Sequence, residues 1–405
     1  MKKKILFLEQ QSWLSGAQRV LECVMDATAG EYEPIVAFPG EGLFCSKLAD
    51  RKIQTLTFPL GFYQTGRKSR TEMLGFAQRS LLCAFKLVKV IQREDVGLVY
   101  INGPRCMLAG VLAARVTGRP ALFHLHLTLV RKPEILLVAK LAHYVSAVVS
   151  CSRAAAAGLL KANRGLAGKT HILYNPLAVC ASAAGDLPDS QPPGGNSSAI
   201  TVGVVGRITK PKGQRVLLNA LGKLSAQDKA RIRVIFVGAP SPDNREDLNY
   251  QQRLKECVTQ FGLRGSIEWA GYQAAVGPFY RAMDVLIQPS LSDSGESMPL
   301  SMLEALQHGV PVIASSTGGI PEVIHHGSNG LLVPPGDEIA LARALERFLQ
   351  DSSLRARLGA AASSTIDDRF SLENFKSRIR GLIEKLCTGL QPSGSPEAIR
   401  EESAA

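Results

Sequence analysis

Arg207 and Lys212 are the basic side chains best placed to bind an anionic ligand. They lie in the segment 206–213, which follows a β-branched run at 201–205 and precedes a helix predicted from about Gln214. A helix N-terminus offers unpaired N–H groups and a partial positive charge, and cations beside it can neutralise a diphosphate. The segment therefore predicts an anion site, with an ordinary basic loop as the alternative.

Glu296 and Glu304 are carboxylates that could accept hydrogen bonds from sugar hydroxyls. They follow the apolar run 285–288, and Pro299 between them suits the first turn of a helix. Glu296 is then expected in the preceding loop and Glu304 inside the helix. The strand-loop-helix context favours hydroxyl binding over two solvated surface carboxylates.

His124 and His126 form a second polar cluster, in the first half of the chain. One residue separates them at the end of an apolar run that starts at Ala121. Side chains two positions apart on a strand point to the same side, so both rings are expected at one edge of the sheet. Either could face a ligand, and we favour His126.

The elements that must position these residues follow an alternating pattern. Short apolar runs, each expected to be buried on both faces, alternate with helical patterns, which predicts two doubly wound parallel sheets of the α/β class. The predicted strands are 4–8, 34–38, 98–101, 121–124, 147–150, 201–205, 233–237, 285–288 and 311–314. Ligands of such folds bind at strand carboxyl ends, so a cleft between the two sheets is expected to hold the site.

The predicted domain organisation follows the Gly- and Pro-rich stretch before Ala199. We expect a first Rossmann-like domain at 1–180, a linker at 181–199 and a second Rossmann-like domain at 200–370. A packed helix is predicted over 371–386 and a disordered tail over 387–405.

Charge is distributed unevenly along the chain. The net charge is +12, and residues 1–190, with 24 Lys/Arg and 13 Asp/Glu, account for +11 of it. The segment 61–93 is rich in Lys and Arg, and its apolar residues Leu74, Phe76, Ala77, Leu81, Leu82, Phe85 and Leu87 are expected to form most of one helix side. Such a segment could bind anionic lipid headgroups, while a core helix with a solvated basic face is the alternative.

Several protein classes are disfavoured by the composition. The eight cysteines are scattered and form no zinc motif, and no apolar run reaches the roughly 20 residues of a membrane span. The apolar run after Lys4 ends at Glu9, too early for a signal peptide. A cytoplasmic protein is expected, with peripheral binding at the inner face of a membrane as the open alternative.

A series of motifs in the second half resembles a known family. The motifs are Gly206-Arg207-x4-Lys212-Gly213, Glu296-x7-Glu304, Gly309-Val310-Pro311-Val312, Thr317-Gly318-Gly319-Ile320-Pro321-Glu322 and Asn329-Gly330-Leu331-Leu332-Val333-Pro334-Pro335-Gly336-Asp337. Together and in this order they resemble the retaining nucleotide-sugar glycosyltransferases of family 4, which have the GT-B fold. In the first half, Ser15-Gly16-Ala17-Gln18-Arg19-Val20 is similar to the family's Gly-Gly-Ala-Glu-Arg-Val turn.

The resemblance implies roles for the charged residues. Arg207 and Lys212 would hold the donor diphosphate and stabilise the leaving nucleotide in place of a metal ion. Glu296 would contact the donor sugar and Glu304 the ribose. No metal and no separate cofactor are implied, since the nucleoside diphosphate sugar is itself the donor substrate.

The resemblance also implies roles for backbone groups and for a histidine. The N–H groups of Met298 and Leu300 would face the sugar and phosphates, and Ser297 stands where the family usually has glycine. Gly16 would let the backbone approach the donor phosphate or the acceptor. His126 would contact the donor sugar or acceptor.

The predicted activity is transfer of a hexose, with retention, to a hydroxyl of a glycan or lipid-linked acceptor. The expected pathway is synthesis of polysaccharide or cell-envelope glycan. A GT-B nucleotide-sugar epimerase is the alternative, although that reaction would not require the Glu296 and Glu304 pair. A nucleic-acid partner is suggested by charge alone, and no nucleic-acid-binding module is recognisable.

Overall fold

The computed structural model describes residues 2–60, 69–177 and 199–389. They form two compact units, one made of 1–176 and 369–405 and the other of 177–368. The predicted linker at 181–198, the basic residues Arg67 and Lys68, and the predicted tail from 390 onward lie outside the described residues.

The first unit contains a parallel sheet that has seven strands within the described residues, in the order β3-β2-β1-β4-β5-β6-β7. Its strands are β1 (Lys3–Glu9), β2 (Tyr32–Phe38), β3 (Gln54–Thr57), β4 (Val96–Asn102), β5 (Ala121–Leu125), β6 (Ala147–Ser150) and β7 (Thr170–Ile172). Each strand is linked to the next by a helical crossover, as parallel pairing requires. The helices are α1 (Gly16–Thr28), α2 (Leu43–Asp50), α3 (Arg70–Arg93), α4 (Met107–Thr117), α5 (Lys132–Ala142) and α6 (Arg153–Ala162).

The second unit has a six-stranded parallel sheet in the order β10-β9-β8-β11-β12-β13, again counted over the described part of the chain. Its strands are β8 (Ile200–Val205), β9 (Ile232–Val237), β10 (Ile267–Gly271), β11 (Val285–Gln288), β12 (Val312–Ser315) and β13 (Gly330–Val333). Its helices are α7 (Gln214–Lys223), α8 (Ala226–Ala230), α9 (Arg245–Gln260), α10 (Gly277–Arg281), α11 (Leu300–Gln307), α12 (Glu338–Gln350) and α13 (Ser352–Ser364). Both sheets have the doubly wound arrangement that the sequence predicts.

The last helix, α14 (Leu372–Cys387), belongs to the first unit although it follows the second in sequence. It packs against α1, and its arginines hold backbone carbonyls of that unit: Arg380 Nε donates to Ala27 O over 2.8 Å and Arg378 Nη2 to Ile172 O over 3.1 Å. The sequence predicted a helix over 371–386, and α14 runs from Leu372 to Cys387, a residue that the sequence assigned to the tail.

Helix α3 corrects one prediction about its apolar residues. The structure buries Leu87 but leaves Leu74, Leu81, Leu82 and Phe85 more than half exposed, so the seven apolar residues do not share one side. The buried side instead consists of Ser80, Cys83, Ala84, Leu87 and Ile91, and α3 packs against α4. None of the helices in the described ranges is long and apolar enough to cross a membrane.

Candidate active site

The segment after β8 brings the predicted anion-binding lysine to the edge of the second sheet. Lys210–Lys212 forms one turn of 3-10 helix, and Gly213 then adopts φ +70°, in the left-handed region. A Cβ on Gly213 would lie 1.9 Å from the carbonyl oxygen of Pro289, in the segment after β11. Only glycine allows this close approach, which fixes the segments after β8 and β11 side by side.

Lys212 and Glu296 form the centre of the candidate site. Lys212 Nζ lies 2.7 Å from Glu296 Oε2, and the Glu296 side chain is only 11% exposed. The same oxygen accepts from Ser290 Oγ at 2.8 Å and lies 3.3 Å from Gln288 Nε2. A carboxylate held by several donors has a fixed position, from which its oxygens can accept bonds from ligand hydroxyls.

The backbone of Glu296 is fixed from the other side by Gly318. Gly318 adopts φ +55°, and a Cβ there would lie 1.8 Å from the Glu296 carbonyl oxygen. The segment after β12 therefore packs directly on the segment after β11, as the motif containing Thr317 and Gly318 requires.

Glu304 lies inside α11, as predicted, and is buried. Its Oε2 accepts from the hydroxyl of Tyr280 at 2.8 Å. Tyr280 is itself buried, and its ring lies 5.3 Å from that of His308. Tyr280 thus orients the Glu304 carboxylate.

The start of α11 supplies backbone N–H groups next to these carboxylates. Pro299 is the N-cap residue of α11, whereas the sequence predicted it in the first turn of the helix. Within the described residues, no side chain caps α11 through a hydrogen bond. Ser297 and Met298 are buried just before it, and Leu300 is its first residue. The first N–H groups of such a helix point outward along its axis and attract anions.

The side chain of Arg207 is exposed and points away from the pair of Lys212 and Glu296. Its Nη1 lies 3.5 Å from Ser241 Oγ, while its carbonyl accepts from Gln214 Nε2 at 2.9 Å. The structure therefore brings Lys212 into contact with Glu296, whereas Arg207 and Glu304 each contact other residues.

In the first unit, Gly16 is the first residue of α1 and Ser15 is its N-cap. The Ser15 hydroxyl donates to Gln18 Oε1, and the Gln18 side chain also hydrogen bonds to Glu9, which is fully buried. A glutamate at position 18, as in the family's turn, would put a second carboxylate beside Glu9. The buried Glu9 thus gives a physical reason for glutamine at this position.

The two histidine rings lie on the same side at the end of β5, as their spacing predicted, and their planes are inclined by 39°. Their ring centroids are 3.8 Å apart. His124 Nδ1 lies 2.6 Å from the Tyr100 hydroxyl, and His126 Nε2 lies 2.7 Å from Asn102 Oδ1. Burial lowers the pKa of His126 to about 3 and also lowers that of His124, so both rings are neutral at physiological pH.

Sequence reasoning did not identify Glu9, Asn102, Tyr100, Tyr280 or Ser290 as partners of the site residues. Glu9 and Asn102 are polar residues that end apolar strands, β1 and β4. That position was the available signal, because ligands of parallel α/β sheets bind at strand carboxyl ends. Across the described ranges, no group of three or more His, Cys, Asp and Glu residues is arranged to hold a metal ion.

Comparison with known families agrees with this geometry. The model of glycosyl transferases group 1 matches residues 189–365, and the model of glycosyltransferase family 4 matches residues 43–179. Each model covers less than half of the chain, and over these two regions the chain is similar to glycosyltransferases of group 1 and of family 4.

Named relatives match over part of their length. The D-inositol 3-phosphate glycosyltransferase of Stackebrandtia nassauensis is 32% identical over 171 residues, which are 40% of this chain and 37% of the relative. The lipopolysaccharide core biosynthesis glycosyltransferase LpsE of Rhizobium meliloti is 31% identical over 169 residues, 42% of this chain and 45% of the relative. The chain thus matches less than half the length of each of these relatives.

Solved structures match over nearly the whole chain. The Anabaena protein Alr3699/HepE in complex with UDP-glucose has a TM-score of 0.76 at 23% identity, covering 94% of this chain and 99% of that one. Sucrose-phosphate synthase from Thermosynechococcus elongatus has a TM-score of 0.73 at 18% identity, covering 96% and 100%. The fold is therefore GT-B, with two Rossmann-like units.

Proposed function

We propose that this protein is a retaining glycosyltransferase that moves a hexose from a nucleoside diphosphate sugar to a hydroxyl of a glycan or glycolipid. The observation that carries the proposal is the contact between Lys212 and Glu296 at the carboxyl edge of the second sheet. A cation beside a carboxylate suits a ligand that joins a diphosphate to a hydroxyl-rich sugar.

Residues of the second unit would bind the donor. Lys212 retains two N–H groups besides the one directed at Glu296, and Arg207, being exposed, can turn its guanidinium toward the diphosphate. The N–H groups of Met298 and Leu300 add to this positive field, with Ser297 between them and Glu296. Fixed donors of this kind stabilise the negative charge that develops on the leaving diphosphate.

The carboxylates would position the two sugars of the donor. Glu296 would accept from hydroxyls of the transferred hexose, and Glu304, oriented by Tyr280, from the ribose. In the first unit, Gly16 would allow close approach of a substrate phosphate or acceptor, and His126 would accept from a substrate hydroxyl.

The proposed reaction exchanges one C–O bond for another at the anomeric carbon. The bond from that carbon to the diphosphate oxygen breaks, and the acceptor oxygen bonds to the same face. The acceptor proton passes to the departing diphosphate oxygen, so no protein base is required.

The names of the relatives support a glycan as the class of product. They include a lipopolysaccharide core biosynthesis glycosyltransferase and a protein named as a putative colanic acid biosynthesis glycosyltransferase, and the HepE structure contains UDP-glucose. Both matching family models describe glycosyltransferases, and nothing in the comparisons favours the epimerase. We therefore propose a role in polysaccharide or cell-envelope glycan synthesis.

The experiment is a donor panel followed by product analysis. Calorimetry against UDP-, GDP- and ADP-linked hexoses should find one donor that binds well above the others. Its consumption should increase when a glycan acceptor is added, and NMR should show the same anomeric configuration in donor and product. Consumption that gives an isomeric nucleotide sugar and no transfer product would overturn the proposal.

We further propose that α3 binds an anionic membrane surface where lipid-linked acceptors lie. Its exposed side carries the apolar Leu74, Leu81, Leu82 and Phe85 together with the exposed cations Arg79, Lys86, Lys89 and Arg93. Lys89 Nζ lies 4.5 Å from the centre of the Phe85 ring, so charge and apolar surface are adjacent. Apolar insertion next to cations is the pattern that holds a helix at a lipid interface.

A further inference from the structure

A chain of buried polar groups crosses three neighbouring strands of the first sheet. Glu9 ends β1, Asn102 ends β4, and His126 follows β5 by one residue. Glu9 pairs with Asn102 in the strand register, and Asn102 pairs with His124. The topology therefore places a carboxylate, an amide and an imidazole side by side at one edge.

The hydrogen-bond donors around Glu9 determine how the Asn102 amide is oriented. A carboxylate only accepts, and Glu9 accepts from the backbone N–H of Gln11 at 3.0 Å and from Asn102 Nδ2. Because the Asn102 amino group faces Glu9, its carbonyl oxygen faces His126. That oxygen lies 2.7 Å from His126 Nε2.

The orientation of Asn102 in turn selects one tautomer of His126. An amide oxygen cannot donate, so Nε2 must carry the proton and Nδ1 must carry a lone pair. Nδ1 is buried and has no hydrogen-bond partner within the described ranges. A buried acceptor that makes no hydrogen bond costs free energy, and a ligand hydroxyl could donate the missing bond to Nδ1.

His124 keeps the His126 ring in place. His124 Nδ1 is hydrogen bonded to the Tyr100 hydroxyl at 2.6 Å, and the two imidazoles are in contact, with ring centroids 3.8 Å apart and planes inclined by 39°. Both Tyr100 and His124 are fully buried, so neither ring has room to turn. Two supports, one through hydrogen bonds and one through ring contact, thus fix the direction of the His126 lone pair.

We propose that Glu9 and Asn102 are positioning residues, which hold His126 in its Nε2–H tautomer so that Nδ1 accepts a hydrogen bond from a substrate hydroxyl. The substrate part of this inference rests on the proposed function, since it assumes a hydroxyl-bearing sugar. The tautomer part rests on the geometry of the three side chains alone.

The test is the tautomer of His126 in the full-length protein. Two-bond ¹H–¹⁵N spectra of protein labelled in histidine distinguish Nε2–H from Nδ1–H rings, and His126→Phe assigns the signal. We expect Nε2–H in the wild type and in Glu9→Gln, whose amide oxygen can still accept from Asn102. In Asn102→Leu, of similar size, we expect a mixture of tautomers.

Kinetics provide the second readout. Asn102→Leu should lower kcat by roughly 10-fold, the value of one lost hydrogen bond of about 1.4 kcal/mol, with little change in nucleotide affinity measured by UDP calorimetry. Circular dichroism and the melting temperature show whether Asn102→Leu has folded. If it has not, Asn102→Ala is used, which removes both hydrogen bonds and adds no second carboxylate beside Glu9.

The outcomes separate this inference from the proposed function. A wild-type His126 in the Nδ1–H tautomer would overturn the inference, as would an unchanged kcat in a folded Asn102 variant. A wild-type protein that consumes no nucleotide sugar would overturn the proposed function and the substrate part of the inference. The histidine spectrum would then still show whether Glu9 and Asn102 hold His126 in its Nε2–H tautomer.

Discussion

At the residue scale, the second unit places a lysine where it can bind the proposed donor directly. Lys212 and Lys210 lie two positions apart in the same turn, but only Lys212 contacts Glu296. The pair therefore offers a charge-matched comparison within one segment.

Lys212→Ala should reduce turnover strongly, whereas Lys210→Ala should not. Loss of a charge-assisted hydrogen bond costs about 1.5 to 3 kcal/mol, or roughly 10- to 150-fold. Steady-state rates with the best donor of the panel measure the effect, and melting temperatures control for folding. Equal losses in both variants would mean that general positive charge, and not the position of Lys212, matters.

Glu9 should make stability depend on pH. Burial raises its pKa from 4.5 to about 7, although hydrogen bonds from Asn102, Gln18 and backbone N–H groups lower it. Below pH 4.5 the carboxyl is protonated in both folded and unfolded states. As the pH rises toward 7 the unfolded state ionises first, so the folded state loses stability relative to it, by about 3 kcal/mol in all.

The comparison of wild type with Glu9→Gln isolates this contribution. The difference in unfolding free energy, wild type minus variant, should fall as the pH rises from 4.5 to 8. Burial raises the pKa values of the neighbouring Tyr100 and Cys106, so both stay neutral over this range. His126, with a pKa of about 3, also keeps its charge state. Urea denaturation at several pH values would measure the difference, and a flat profile would contradict the prediction.

At the element scale, the strands that sequence reasoning found and missed have a common explanation. All nine predicted strands are present, whereas β3, β7, β10 and β13 were not predicted. These four are the edge strands of the two sheets. Edge strands have a neighbour on one side only, and β3, β7 and β10 are partly exposed and lack the continuous apolar run that marks a central parallel strand. The fourth, β13, is largely buried, and its apolar residues are only 331–333.

The candidate site of the second unit shows the same contrast between features that the sequence predicted and features that it missed. The sequence predicted the segments after β8 and β11 because glycine, lysine and glutamate stand at fixed distances from central strands. It could not predict that Lys212 pairs with Glu296, or that Tyr280 reaches Glu304, because these pairs are 84 and 24 positions apart. Contacts at such separations depend on the packing of loops and helices, which local patterns do not encode.

Helix α3 carries the prediction about membranes. Leu81→Ser with Phe85→Ser should weaken binding to vesicles of phosphatidylcholine and phosphatidylglycerol at least 10-fold, because burial of one such side chain is worth about 1.5 to 3 kcal/mol. Lys86→Gln with Lys89→Gln should weaken it by roughly 10- to 30-fold, at about 1 kcal/mol for each charge. Co-sedimentation measures both.

Two controls test whether binding is specific to α3 and to anionic lipid. Leu248→Ser with Ile339→Ser removes two exposed apolar side chains from the second unit and should leave binding unchanged. On vesicles of phosphatidylcholine alone, the lysine variants should behave like the wild type. Equal binding of all variants to the anionic vesicles would contradict the role of α3.

At the scale of the whole molecule, the first unit is discontinuous in sequence. Helix α14 supplies five buried apolar residues to it, and Phe375 among them is 1% exposed. The stability of the first unit should therefore depend on residues that follow the second unit in the chain.

Phe375→Ala should destabilise the first unit selectively, by about 3 to 5 kcal/mol. Hydrogen exchange followed by mass spectrometry should show faster exchange in α1 and β1 and little change in β8 and β11. Phe348→Ala, in α12 and equally buried, should give the reverse pattern. Faster exchange throughout both units in each variant would show that they unfold together.

Because α14 is made after the second unit, the ribosome releases the parts of the first unit at very different times. Its seven strands emerge early and must wait, without their final helix, while the whole of the second unit is synthesised. The second unit, encoded without interruption, can complete its own core during translation. We therefore expect a nascent chain stalled just before Leu372 to expose the surface of α1 that α14 later covers, and to be held by chaperones there.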